Sequence, residues 1–258
     1  MSAESDPTLI PPGGSPGGTE LDDATALRLL REGRLEVAGR LVEATNMTLY
    51  CSIELGDLVA ACVYKPVRGE RPLWDFPDGT LAAREVAAYE VSAATGWRIV
   101  PPTVYRDGPF GVGMVQLWID SDAQVDLMTL MRDRRSRALR RLAVFDAIIN
   151  NADRKGGHLI PLPDGHYYGV DHGVCFSTED KLRTVLWQWQ GKPLPREAVQ
   201  VLVRIEKEME RGELGRKLRE LLSLAEVEAT WERVRRLLDT GIHPYPPRDW
   251  PAYPWPPI

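Results

Sequence analysis

One change of character along the chain constrains its fold more than any other feature. From Arg34 to Lys65 the residues alternate and favour β-branched and aromatic types: LEVAGRLV, MTLYCSIEL, a Leu55-Gly56-Asp57 turn, then LVAACVYK. A period of two with that composition marks half-buried strands. A helix precedes them, with Asp22 or Asp23 as cap, TALRLLRE as body and Gly33 as stop. A second helix is predicted from about Thr80 to Thr95. Thr80 caps it, Leu81, Val86, Tyr89 and Val91 form its apolar face, and Gly96 ends it. Val100-Pro101-Pro102 then leads into strands around Thr103–Tyr105 and Val112–Ile119.

After Asp120 helices take over. RALRRLAVFDAIIN reads as a buried amphipathic helix that runs into the polar loop NNADRKGGH. HLIPL and HYYGV form a short hairpin about Pro163-Asp164-Gly165. From Pro195 to Asp239 everything reads helical, with Ser223 and Glu226 as a capping box and Gly241 as the stop. The expected architecture is α+β in two lobes, a small antiparallel-sheet N-lobe over 21–119 and a helical C-lobe over 120–242. Residues 1–20, proline- and glycine-rich with little to bury, read as a disordered leader. The stretch 243–258 is proline-dense around Trp250 and Trp255, which predicts an extended tail packed on the body.

Composition narrows the function classes. A net charge of −5 opposes whole-surface binding of nucleic acid. No apolar run nears the ~20 residues of a membrane-spanning helix, and MSAESDPTLI lacks the basic and apolar regions of a signal peptide. Cys51, Cys62 and Cys175 are too few and too dispersed for a disulfide framework or a zinc knuckle. The expected location is the cytoplasm.

Four polar positions lie where two such lobes would converge. Lys65 ends a strand in VYKP, and Glu85 sits on the following helix in REVAAYE. Asp153 lies in the loop after the buried helix, and Asp171 follows the hairpin in GVDHG. Phosphoryl transfer needs such a set: a lysine pinned by a carboxylate to hold phosphates, one carboxylate at the acceptor hydroxyl, and another on the metal. Lys155 stands two residues and His158 five residues after Asp153, and Asp171-His172-Gly173 follows. That order and spacing match the catalytic loop and metal-binding turn of protein kinases.

In VYKP, REVAAYEVS, IVPPTV, NADRKGGHLI and GVDHGVCF the chain resembles the phosphatidylinositol 3-/4-kinase-related superfamily, closest to type II phosphatidylinositol 4-kinases. It is also similar to an actinobacterial group of kinase-like proteins that carry ERPLWDFPDGTLA. The matches span about Asn46 to Phe176. The resemblance implies a protein-kinase-like fold and ATP with a divalent metal, manganese or magnesium. It implies Asp153 and Lys155 as catalytic residues, and Asp171 with His158 on the metal. Lys65 and Glu85 would serve the phosphates, Asn46 and Thr48 would cover them, and the backbone at Gln116, Leu117 and Trp118 would form the adenine hinge. Imidazole in place of an oxygen donor predicts a preference for manganese.

Other readings stay open beside this one. The acceptor is an unassigned hydroxyl on a lipid, protein or small molecule, and peripheral membrane contact remains compatible. The glycine-free loop at Asn46-Met47-Thr48 and His158 also suit a nucleotide-binding module without turnover. A metal-dependent hydrolase built from Asp153, His158, Asp171 and His172 is a third class. Arg84 competes for Glu85, and Glu90 competes for Lys65. His172 more often packs than ligates, and Asp146 reads as a core hydrogen-bonding group. The run Arg132, Arg134, Arg135, Arg137, Arg140 and Arg141 reads as a solvated face or an anion contact. The aromatic ERPLWDFPDG loop is either core packing or part of an acceptor pocket.

Overall fold

A computed structural model describes residues 21–41, 45–122, 129 and 132–257; the expected leader lies outside them. Helix α1 (Asp23–Glu32) starts at Asp22, whose carboxylate accepts the Thr25 N–H, and closes where the Gly33 N–H reaches Leu29 O. Strands β1 (Arg34–Arg40), β2 (Leu49–Leu55), β3 (Leu58–Pro66), β4 (Thr103–Gly108) and β5 (Gly111–Leu117) form one antiparallel sheet in the order β1-β2-β3-β5-β4. Gly56 takes a φ of 60° in the two-residue β2–β3 turn, a conformation other residues resist.

Alternation decides which side chains face the cleft. In β3, Cys62 and Tyr64 are buried in a small core with Leu29 and Leu30 of α1. Val63 and Lys65 therefore project from the opposite face of the sheet. Helix α2 (Leu81–Thr95) packs there and ends at Gly96 with a φ of 69°. Its start differs from expectation. The Thr80 hydroxyl donates to Pro77 O, and the α2 N-terminus is capped instead by Glu70, whose carboxylate accepts the Leu81 and Ala82 N–H groups at 3.1 and 2.8 Å. With ψ near −5° Thr80 is already helical, so its side chain does not point back over the first turn.

In the second lobe, α3 (Arg137–Ile149) is capped by Ser136 and ends at Asn150 with a φ of 50°. The hairpin β6 (Leu159–Pro161) and β7 (Tyr167–Gly169) follows. Three helices complete the lobe: α4 (Arg196–Arg211), α5 (Glu213–Leu221) and α6 (Leu224–Thr240). The stretch expected to be helical is broken at Gly212 and, where the capping box was expected, at Leu222–Ser223. The Ser223–Glu226 capping box and the Gly241 stop both form. Much of the arginine run is neither bare nor free for an anion. Arg137 and Arg141 bond Glu197 on α4, and Arg140 donates to Pro193 O and to His243. The tail is tied to the body through Ala252 O and Pro257 O.

Candidate active site

Between the lobes lies a cleft of about 1170 Å³, lined by Asn46, Thr48, Lys65, Gln116, Leu117, Trp118, Asp153, Lys155, His158 and Asp171. At its floor the Lys65 ammonium sits between two carboxylates, 2.6 Å from Glu85 Oε1 and 2.8 Å from Asp171 Oδ1. Burial alone would lower the Lys65 pKa, but Asp171 and Glu85 outweigh it and raise the pKa. The same ammonium depresses Asp171 well below the ordinary carboxylate range. Glu85 is nearly buried, which pushes its pKa up, and its second oxygen accepts the His172 N–H at 2.8 Å. The rival pairings do not form: Glu90 bonds Lys217, and Arg84 reaches Glu226 on α6 and Cys175 O.

Asp171 stands in the left-handed region with a φ of 62°, which aspartate tolerates better than most residues. Its side chain is 54% exposed in the cleft, and Oδ2 lies 3.5 Å from His158 Nε2. Burial lowers the His158 pKa, keeping the ring neutral at neutral pH. The Lys155 N–H donates to His158 Nδ1 at 3.4 Å, so the proton of the neutral ring sits on Nε2 and points toward Asp171. Opposite, both oxygens of Asp153 meet cations: Arg183 at 3.1 Å and Lys155 at 3.3 Å. Arg183 also donates to Ala152 O, which makes it a cleft residue that sequence spacing did not single out.

The segment that the resemblance makes the adenine hinge is less open than expected. The Leu117 and Trp118 N–H groups already donate to Pro102 O and Ala61 O, and the Gln116 amide donates to the Thr103 hydroxyl. Asn46 Oδ1 accepts the Arg71 N–H, tying the loop before β2 to the segment after β3.

Behind the cleft lies a network that the sequence left hidden. Arg154, next to Asp153, is fully buried. It donates to both oxygens of Asp146, to Val170 O, and lies 2.6 Å from His172 Nε2. The residues following Asp153 and Asp171 therefore lock against each other. Asp146 is a core hydrogen-bonding group, as expected. His172 is wholly buried and turned inward, so the four-residue hydrolase set does not assemble. Among the described residues no group of three or more His, Cys, Asp or Glu side chains is arranged to hold a metal alone. Asp171 in an open cleft still suits a metal that takes its remaining ligands from phosphate and water, the usual habit of magnesium.

No protein-family model matches the chain. Protein Rv2133c of Mycobacterium tuberculosis is 44% identical over 270 aligned positions, which cover 90% of this chain and 96% of that protein. The chain belongs to the Rv2133c family. This Rv2133c-family chain also matches phosphatidylinositol 4-kinase gamma 4 of Oryza sativa subsp. japonica, 28% identical over 138 positions. That match spans 46% of this chain and 24% of the rice protein. In structure it is similar to the proinflammatory kinase CtkA of Helicobacter pylori, with a TM-score of 0.50 and 12% identity, covering 83% of this chain and 94% of CtkA. The fold of this Rv2133c-family member is therefore α+β, two-lobed and kinase-like. Among its described residues no helix is long and apolar enough to cross a membrane.

Proposed function

We propose that the protein is an ATP-dependent phosphotransferase that moves the γ-phosphoryl group to a hydroxyl acceptor. One observation carries this reading: the Lys65 ammonium is held between Glu85 and Asp171 on the floor of a cleft that also holds Asp153 and Lys155. A triphosphate with its metal satisfies both members of the Lys65–Asp171 contact. Lys65 turns to phosphate oxygens while Asp171 takes the metal, and Glu85 keeps Lys65 in place. A divalent metal held by Asp171 would supply charge neutralisation to the phosphates. Asp153 orients the acceptor hydroxyl and takes its proton once Lys155 leaves it for the transferring phosphoryl group. His158 flanks the second oxygen of Asp171 at 3.5 Å. Asn46 and Thr48 lie over the phosphates. With the Leu117 and Trp118 amides taken, Ile119 at the cleft wall is the next backbone group along the hinge for adenine. The partial likeness to a phosphatidylinositol 4-kinase supports a place near that superfamily, with the acceptor unassigned.

The test is transfer from γ-labelled ATP, with magnesium or manganese, to lipid vesicles and to a cell extract. The parent is expected to label an acceptor or release phosphate, and Asp153→Ala is expected to lower the rate by at least about 100-fold, within the range of a lost general base. A second reading, nucleotide binding without turnover, draws on the engagement of both Asp153 oxygens by cations. It prevails if the parent binds ATP while transfer and phosphate release stay at background.

A further inference from the structure

The C-terminal tail is bound to the catalytic loop itself. Gly156 is buried at the start of the short turn Gly156–His158, and its N–H donates to Pro257 O at 2.8 Å. That N–H belongs to the first orphan donors of a helical turn and would otherwise be buried without a partner. Lys155 precedes the turn and His158 ends it, so the Pro257 carbonyl fixes the backbone that aims both side chains.

The same tail reaches the mouth of the cleft. Trp250 and Pro251 line it. The Trp250 ring lies 6.1 Å from Trp74, which comes from the first lobe and is 85% exposed. The Lys181 ammonium sits 5.1 Å from the Trp74 ring and 4.7 Å from the Trp250 ring, and it bonds Asp75 at 3.1 Å. A cation between two indoles holds them together, more strongly where it is desolvated. Ala252 O accepts from Thr184 N–H and Trp187 Nε1–H, anchoring the stretch between the two contacts. Trp250 Nε1 is buried with no hydrogen-bond partner among the described residues.

We propose that Trp250–Pro257 is a wall of the active site, in which Pro257 positions the catalytic loop and Trp250, clasped to Trp74 through Lys181, closes one side of the cleft. Its kinetic consequence rests on the phosphotransfer reading; its hold on the loop does not. Two variants of the full chain separate these contacts: one lacking residues 255–258, which removes the Pro257 carbonyl, and Trp250→Ala, which opens the clasp, with Trp250→Phe as the conservative control.

Hydrogen–deuterium exchange is read over 153–158 and over α3–α6, alongside phosphate release from ATP. In the shortened variant exchange over 153–158 is expected to rise about tenfold while α3–α6 keep their protection, the mark of a local opening. The rate of phosphate release is expected to fall at least about fivefold with the KM for ATP nearly unchanged, as for a group that acts on the transition state alone. In Trp250→Ala the indole wall is lost and phosphate release to water is expected to rise at least about threefold with ATP affinity kept, because closure excludes water; Trp250→Phe restores the parent rate. Unchanged exchange over 153–158, or a rise spread equally over α3–α6, overturns the proposal, since the tail is then absent from the loop or a general brace. If the parent neither labels an acceptor nor releases phosphate but the loop still loosens on shortening, phosphotransfer fails and the tail's hold on the loop stands.

Discussion

At the scale of single residues, the cleft is organised by which atom of each group is already engaged. Asp171 gives one oxygen to Lys65 and keeps the other 3.5 Å from His158, so it is placed before any metal arrives. The tautomer of His158 decides what the imidazole does. Its Nδ1 accepts from the Lys155 amide, which leaves Nε2 as a donor rather than a lone pair for a metal. The resemblance puts this ring on the metal and so favours manganese; in the structure its Nε2 stands 3.5 Å from Asp171 Oδ2, turned to that carboxylate. Magnesium is therefore expected to sustain phosphate release at least as well as manganese, measured with each metal at saturation. A manganese advantage of about tenfold or more would mean that the ring turns to ligate, in line with the preference of imidazole for softer ions. That Lys65, Glu85, Asp153 and Asp171 would converge was legible because each sits at a fixed place on a strand, a helix or a loop. Arg154 and Arg183 were not. Nothing in their neighbours announces that one is wholly buried and the other bonded to Asp153 thirty positions earlier.

Among elements, strands and helices followed their periodicity closely, because a buried face leaves its imprint on every second or every third and fourth residue. Caps were less legible: Ser223 announces its capping box within four residues, whereas Glu70 reaches α2 across the ten residues 71–80, which no local pattern marks. The tail is the extreme case, since proline excludes a helix without saying where the chain goes. It is anchored at its start by His243, which is 3% exposed and accepts from Arg140 Nε at 3.2 Å. Burial, helped by the Arg140 cation, lowers its pKa from 6.5 to about 4. The folded state thus favours the neutral ring, and the unfolded chain takes up a proton first. Stability from this group is complete above about pH 6.5 and is lost as the pH falls toward 4, in total about 3 kcal/mol at 1.36 kcal/mol per unit. His243→Gln keeps an acceptor for Arg140 and removes the titration. Urea unfolding at pH 7 and pH 4.5 is expected to show a smaller difference in the variant than in the parent, and an equal difference would assign the acid sensitivity to other groups.

For the molecule as a whole, α2 decides how the lobes relate. By sequence it belongs with the sheet, because it follows β3 and supplies Glu85 to Lys65. Yet Ala87, Ala88, Tyr89 and Val91 share one core with Leu142, Phe145, Ile205 and Val234 of the helical lobe. Polar ties run the same way. Glu90 bonds Lys217 at 2.9 Å, Arg204 donates to Thr95 O at 2.8 Å, and the buried Arg84 guanidinium pairs with Glu226 and donates to Cys175 O. Glu226 at the same time closes the capping box of α6 with Ser223, so one carboxylate serves a local cap and an inter-lobe tie. The lobes cannot part without either drawing α2 out of the larger core or, if α2 stays there, separating Glu85 from Lys65. Removing Glu226 leaves Arg84 buried and unpaired, a loss that costs about 3–5 kcal/mol where a buried pair is broken from one side. Glu226→Ala is therefore expected to lower urea stability by that order and to weaken binding of a non-hydrolysable ATP analogue, although Glu226 lies outside the cleft. Calorimetry of the analogue, run below the variant's melting temperature, separates the two effects: full affinity in a destabilised but folded variant would show that α2 holds Glu85 without its tie to α6. Weakened affinity there would make the position of Glu85 a property of both lobes together.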